Sequence, residues 1–85
     1  MKTFELSPIN GRKSFYGKAI VREENGETIL RSYDTDVCKI DKDENFVRLW
    51  NGNSATTMSH VNSFLDYAGI EGGGKKWWDN QPVNK

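Results

Sequence analysis

Between Ser54 and Gly69 the chain carries Met58, Val61, Phe64, Leu65 and Ala68 at the spacing i, i+3, i+6, i+7, i+10. A helix over these residues gathers them on one apolar stripe and leaves Thr56, Ser59, Ser63 and Asp66 mostly on the other side. Both ends are written in the residues. Asn53 or Ser54 can accept hydrogen bonds from the first free amides, and Gly69 can take the left-handed conformation that closes a helix. An amphipathic helix of this kind needs a surface that receives its stripe, and the rest of the chain reads as that surface.

The run from Lys13 to Glu23 is rich in aromatic and β-branched residues and leads into Glu24-Asn25-Gly26-Glu27, the Asn-Gly signal of a two-residue hairpin loop. The return strand covers Glu27 to Tyr33. With Asn25 and Gly26 as the loop, Ala19 lies opposite Ser32, Ile20 opposite Arg31, Val21 opposite Leu30 and Arg22 opposite Ile29. One face then carries Ala19, Val21, Leu30 and Ser32 and suits a helix. The other carries Tyr16, Lys18, Ile20, Arg22, Ile29, Arg31 and Tyr33 and suits solvent. The pairing also sets Glu24 against Glu27, a mildly unfavourable like-charge contact.

Val37 to Ile40 and Phe46 to Trp50 read as a second hairpin across the polar loop Asp41 to Asn45. Between the hairpins, Ser32 to Asp36 carries side chains that bond the local backbone, which predicts a bend or bulge. Thr3 to Glu5 predicts an edge strand, followed to Arg12 by a loop broken at Pro8 and Asn10-Gly11. After the helix, Gly72-Gly73-Gly74 forms a hinge and Lys75 to Asp79 a short helical turn that Pro82 stops. The expected fold is α+β: an antiparallel meander of three to four strands, one helix from about Ser54 to Ala68 across one face, and a short C-terminal helical turn. Residues 1–85 make one small domain, with residues 1–12 as edge strand and loop and residues 80–85 as a flexible tail.

Composition removes whole classes of function. Twelve basic residues balance twelve acidic ones, so no global field steers the chain to nucleic acid or an anionic membrane. The single Cys38 forms no internal disulfide and completes no zinc knuckle. No apolar run approaches the ~20 residues of a membrane span, and Met1 to Glu5 lacks the apolar core of a secretory signal. A cytoplasmic location is therefore expected.

Several motifs fall short of chemistry. Gly69 to Lys76 nearly matches the phosphate-binding pattern G-x-x-x-x-G-K-[ST], but a helix precedes the glycines and Lys76 stands where a hydroxyl should bind magnesium. Asp41, Asp43 and Asn45 take the first ligand positions of a calcium loop, yet Phe46 stands where the turn needs glycine and Gly52 where a bidentate Glu is required. His60 is the sole histidine. A Cys38–His60 thiolate pair is conceivable, but Cys38 as a small strand residue and His60 at the border of the buried stripe explain both without catalysis. No catalytic residue, metal or cofactor is expected.

Aromatic residues are the feature that stands out. Phe64 and Trp50 are assigned to the core. Trp77 and Trp78 are adjacent, so on a helical turn they point about 100° apart: one packs inward and the other, beside Lys75 and Lys76, is left to bind. On the sheet, Tyr16 and Tyr33 among Lys18, Arg22 and Arg31 could stack bases and hold phosphates, as single-strand binders do, or serve only cross-strand pairing.

Ser32-Tyr33-Asp34-Thr35 followed by Val37, then Trp50, Ser54-Ala55-Thr56-Thr57 with His60, Phe64-Leu65, and finally Lys75-Lys76-Trp77-Trp78 form a recognisable set. Over Gly17 to Trp78 the chain resembles short uncharacterised proteins of Firmicutes and their phages and plasmids, with a Ser-Tyr-x-Thr-x-Val strand, a Ser-Ala-Thr-Thr-x-x-His helix start and a Lys-Lys-x-Trp end. The resemblance implies a small accessory protein of bacteria or mobile elements and assigns no activity.

The expected function is a non-catalytic interaction protein that binds a protein partner through Trp77, Trp78, Lys75 and Lys76 and the outer sheet face. Single-stranded nucleic-acid binding through Tyr16, Lys18, Arg22, Arg31 and Tyr33 is one alternative, and a phage-encoded inhibitor of a host defence enzyme is another. The N-terminal edge strand could also pair with a second copy to give a homodimer.

Overall fold

A computed structural model describes residues 2–7, 15, 17–52, 54–72 and 74–83. Five strands form one antiparallel sheet in chain order: β1 Lys2–Glu5, β2 Ala19–Glu24, β3 Glu27–Ser32, β4 Thr35–Ile40 and β5 Phe46–Arg48. Helix α1, Ala55–Ala68, lies across one face, and α2, Gly74–Asp79, follows. The sheet is wider than the three to four strands expected, because the N-terminal segment and both apolar segments after Tyr33 are all paired.

The Asn-Gly loop sets the β2–β3 register as the sequence predicts, from Ala19↔Ser32 to Glu24↔Glu27. Asn25 and Gly26 both take positive φ, at 52° and 80°, which a loop of this length needs. The Glu24–Glu27 repulsion is relieved sideways: Arg22 pairs with Glu24 at 3.2 Å and Lys39 with Glu27 at 2.8 Å. Strand β2 starts at Ala19 rather than Lys13. Gly17 takes φ 75° and the Lys18 amide turns back onto the Phe15 carbonyl at 2.9 Å, so the chain bends there. The expected loop to Arg12 lies almost wholly outside the described residues.

Between β3 and β4 the predicted irregularity resolves into two features. Tyr33 and Asp34 make a two-residue turn with Tyr33 at φ 57°. Beyond it the register slips: Leu30 faces Cys38 and Arg31 faces Asp36, leaving Val37 as the extra residue of a bulge. Val37 and Cys38 are consecutive and both buried. The Val37 carbonyl takes the amides of Leu49 and Trp50 at 2.9 and 3.2 Å, ending β5 at Arg48 rather than Trp50.

Helix α1 is capped at both ends. Ser54 Oγ accepts the Thr57 amide at 3.1 Å. At the other end Gly69, at φ 74°, donates to the Asp66 carbonyl and Ile70 donates to the Leu65 carbonyl, the paired bonds of a Schellman ending. Gly69 and Ile70 are thus the stop of α1, and α2 begins at Gly74. Met58, Val61, Phe64 and Leu65 bury against Ala19, Val21, Leu30, Val37 and Cys38, with Leu6, Phe15 and Trp78 completing the core. The buried stripe is wider than expected: Thr57, His60 and Ser63 are also inside. At least part of the expected tail is anchored, since Val83 forms a parallel bridge with Arg48.

Candidate functional site

The polar residues inside the helix–sheet contact form a small network. The register puts Ser32 on the helix face, where its Oγ shares hydrogen bonds with His60 Nδ1 at 2.7 Å and Thr57 Oγ1 at 3.2 Å. Phe15 presents to the His60 ring at 4.5 Å between centroids. A Ser–His contact of this length resembles a nucleophile and its base. Here, however, Ser32 is 3 % and His60 1 % exposed, so the bond is interior and joins β3 to α1. His60 is thus not the border residue the helical pattern suggests. Cys38 is fully buried, and burial pushes its thiol far above the ordinary range, which opposes a thiolate. Among the described residues no group of His, Cys, Asp and Glu is placed to hold a metal ion. Asp41 Oδ1 instead accepts the amides of Asp43 and Asn45, both at 2.9 Å, and shapes the β4–β5 loop.

A second assembly fixes the C-terminal segment. Arg48 is buried, and its guanidinium donates to four main-chain carbonyls: Trp50 at 2.8 Å, Trp78 at 2.8 Å, Gly52 at 3.2 Å and Gln81 at 3.3 Å. The cation also lies 4.4 Å from the Trp78 ring centroid. Trp78 Nε1 donates to the Gly52 carbonyl at 2.9 Å. Trp78 is therefore interior and presents nothing to a partner, which corrects its place among the expected binding residues. Trp77 is half-buried, with its ring 5.0 Å from Phe46. Lys76 is exposed, and the Lys75 side chain lies outside the described part of the structure.

The outer sheet face is not the basic platform that the sequence offers. Arg22 grips Asp36 with both terminal nitrogens, at 3.2 and 3.0 Å, and reaches Glu24 as well. The Asp36 hydrogen bond is the main reason its pKa is raised. Lys39 is tied to Glu27. Arg31 is exposed and its Nε donates to the Tyr33 carbonyl at 3.3 Å. Tyr33 leaves this face: the turn carries its ring to 5.8 Å from His60 of α1, with the Lys18 ammonium 5.8 Å away. Tyr16 lies outside the described residues. Lys18 and Tyr33 are thus brought together, while Arg22 is taken up by carboxylates.

The two edges of the sheet differ. Beside β5 lies the Val83 bridge. Beside β1 no strand is paired among the described residues. The Leu6 amide donates to the Ala19 carbonyl at 2.9 Å, and main-chain bonds alternate along an antiparallel pair. Phe4 and Lys2 therefore bond inward to β2, while the amides and carbonyls of Thr3 and Glu5 point away from the sheet. Next to this edge, between β1 and α1, is a cavity of about 330 Å³ lined by Phe4, Leu6, Ser63, Asp66 and Tyr67. Tyr67 is 47 % exposed, its ring 5.2 Å from Phe4 and its hydroxyl donating to Glu23 at 2.9 Å. That bond is the main cause of its raised pKa.

The sequence marks β1 as an edge able to pair with a second copy, but the groove beside it is not evident there. The available signal was Phe4 and Leu6 on one face with Tyr67 at the end of the helical stripe. Among the described residues no helix is long and apolar enough to cross a membrane. The chain matches the model of a family of unknown function, DUF8033, over residues 4–80. No curated protein and no solved structure matches it.

Proposed function

The chain belongs to this family of unknown function, and we propose that it is a non-catalytic module that binds a protein partner by taking an extended segment along β1. The observation that carries this reading is the asymmetry of the sheet: one edge has the Val83 bridge, and the other presents the polar backbone of Thr3 and Glu5 beside a half-apolar groove. An added strand places alternate side chains over the helix face, where Phe4, Leu6 and Tyr67 receive an apolar group. Burial of Cys38, Ser32 and His60 favours a non-catalytic role over an enzymatic one. The ion pairs of Arg22 and Lys39 weigh against nucleic-acid binding at the outer face. Trp77 and Lys76 are a weaker candidate surface, since Trp77 already packs on Phe46. A bacterial or phage accessory role rests on the sequence resemblance, and inhibition of a host enzyme would be one instance of such binding.

Panning a displayed library of random peptides on the protein tests this reading. Enriched sequences should carry an apolar residue in an extended segment and lose binding to Thr3→Pro, which removes an outward amide without touching a β1–β2 bond. Enriched peptides that bind Thr3→Pro unchanged, or that are lost on Trp77→Ala instead, would overturn it.

A further inference from the structure

The edge of β1 is complementary to itself, and from this we infer that the strand it takes is β1 of a second copy of this chain, a conclusion that rests on the strand-addition reading above. In an antiparallel pair, residues directly opposite one another share a face. A two-fold axis through Phe4 meets that condition. It sets Phe4 against Phe4 of the second copy on the helix face, and Thr3 against Glu5. Thr3 and Glu5 are the residues whose amides and carbonyls point outward, so each copy exchanges both main-chain bonds of Thr3 with Glu5 of the other. Phe4 falls at a non-hydrogen-bonded position, where opposing side chains approach closest, and the Phe4–Tyr67 pairs of the two copies meet there.

Charge fits the same register. Lys2 of the second copy comes opposite Leu6 on the helix face, beside the cavity that Asp66 lines. Lys2 and Asp66 are both exposed, and the two-fold makes this contact twice. Thr3 opposite Glu5 avoids like-charge pairing. The strands that meet are short, so the dimer is concentration-dependent rather than obligate.

Exchanging the charges tests the register without disturbing the core. Sedimentation equilibrium of the wild type over a wide concentration range should show a monomer–dimer equilibrium. Lys2→Asp and Asp66→Lys should each weaken dimerisation by about tenfold, and the double variant should recover most of it. Oxidation of Phe4→Cys should give a disulfide dimer, and oxidation of Thr3→Cys should not, Cys38 being buried in both. A dimer indifferent to both charge changes, or linked through Thr3→Cys and not Phe4→Cys, overturns the inference. A wild type that stays monomeric yet captures displayed peptides in a manner sensitive to Thr3→Pro overturns the second copy and leaves strand addition standing. A monomer that captures none overturns both.

Discussion

Replacing Arg48 by lysine should damage this protein more than replacing it by methionine. The guanidinium spreads its donors over the carbonyls of Trp50, Gly52, Trp78 and Gln81, while its central carbon lies over the Trp78 ring, 4.4 Å from the centroid. A lysine ammonium keeps the charge in the same buried place, yet its donors radiate from one atom and cannot reach all the carbonyls that Nε, Nη1 and Nη2 take separately. Hydrogen bonds to a charged group contribute about 1.5–3 kcal/mol each when buried. Three of these carbonyls belong to half-buried residues, where water can replace part of the loss. Arg48→Lys should therefore cost about 3–4 kcal/mol, out of the ~5–15 kcal/mol expected of a small domain. Arg48→Met leaves the Trp50 and Gln81 carbonyls without the guanidinium, but the Gly52 carbonyl keeps Trp78 Nε1 and the Trp78 carbonyl keeps the Gln81 amide, and the variant removes the buried charge while packing on Trp78, so its cost should be nearer ~2 kcal/mol. Urea unfolding followed by tryptophan fluorescence reads both, with the slope against denaturant unchanged if only stability has moved. A lysine variant as stable as wild type, or a methionine variant clearly less stable than the lysine one, would show that the carbonyl fork does not hold the C-terminal segment.

Cys38 should stay unreactive toward a thiol reagent until the domain unfolds. Its pKa is raised by burial from an ordinary 9.0, so the unfolded thiol ionises first and stability is lost as pH rises above that value. The loss should approach about 1.4 kcal/mol per pH unit, and a flatter alkaline slope in Cys38→Val than in wild type would confirm its source. Ser32→Ala removes the buried hydroxyl that His60 Nδ1 and Thr57 Oγ1 share and should cost about 1–3 kcal/mol in the same urea assay; a neutral result would mean that this hydroxyl adds nothing to stability. Gly72→Ala places a Cβ 2.5 Å from Leu65 Cδ1 and should cost about 1–3 kcal/mol through overpacking. At Gly69 the space is open, and Gly69→Ala should cost about 1–2 kcal/mol from the left-handed backbone alone.

Local signals were legible in the residues and long-range ones were not. Asn25-Gly26 fixed the β2–β3 register because a two-residue loop leaves one way to pair its strands. Ser54 and Gly69 mark the ends of α1 because capping uses only neighbouring groups. Nothing near Arg48 in sequence reveals that carbonyls from Gly52, Trp78 and Gln81 converge on it. Its position opposite Cys38 was the available clue that it faces inward. His60, Thr57 and Ser63 broadened the buried stripe because Ser32 offers a polar partner across the contact, which a count of apolar residues does not register. Trp78 and Trp77 divided as adjacency on a helical turn requires, but which of them turns inward was decided by Gly52 and Arg48. For the interaction surface, the outer hairpin face drew attention through its basic residues. Its acids, Asp36, Glu24 and Glu27, only become partners once the strands are paired.

Residue-resolved hydrogen exchange at the amides of Thr3 and Glu5 bears on strand addition at β1 without any substitution. These amides point away from β2, so they should exchange quickly in dilute solution and become protected as concentration rises, while those of Phe4, Ile20 and Arg22 change little. If Thr3 and Glu5 exchange quickly at every concentration and in the presence of every captured peptide, and protection appears around Trp77 instead, β1 is not the binding edge.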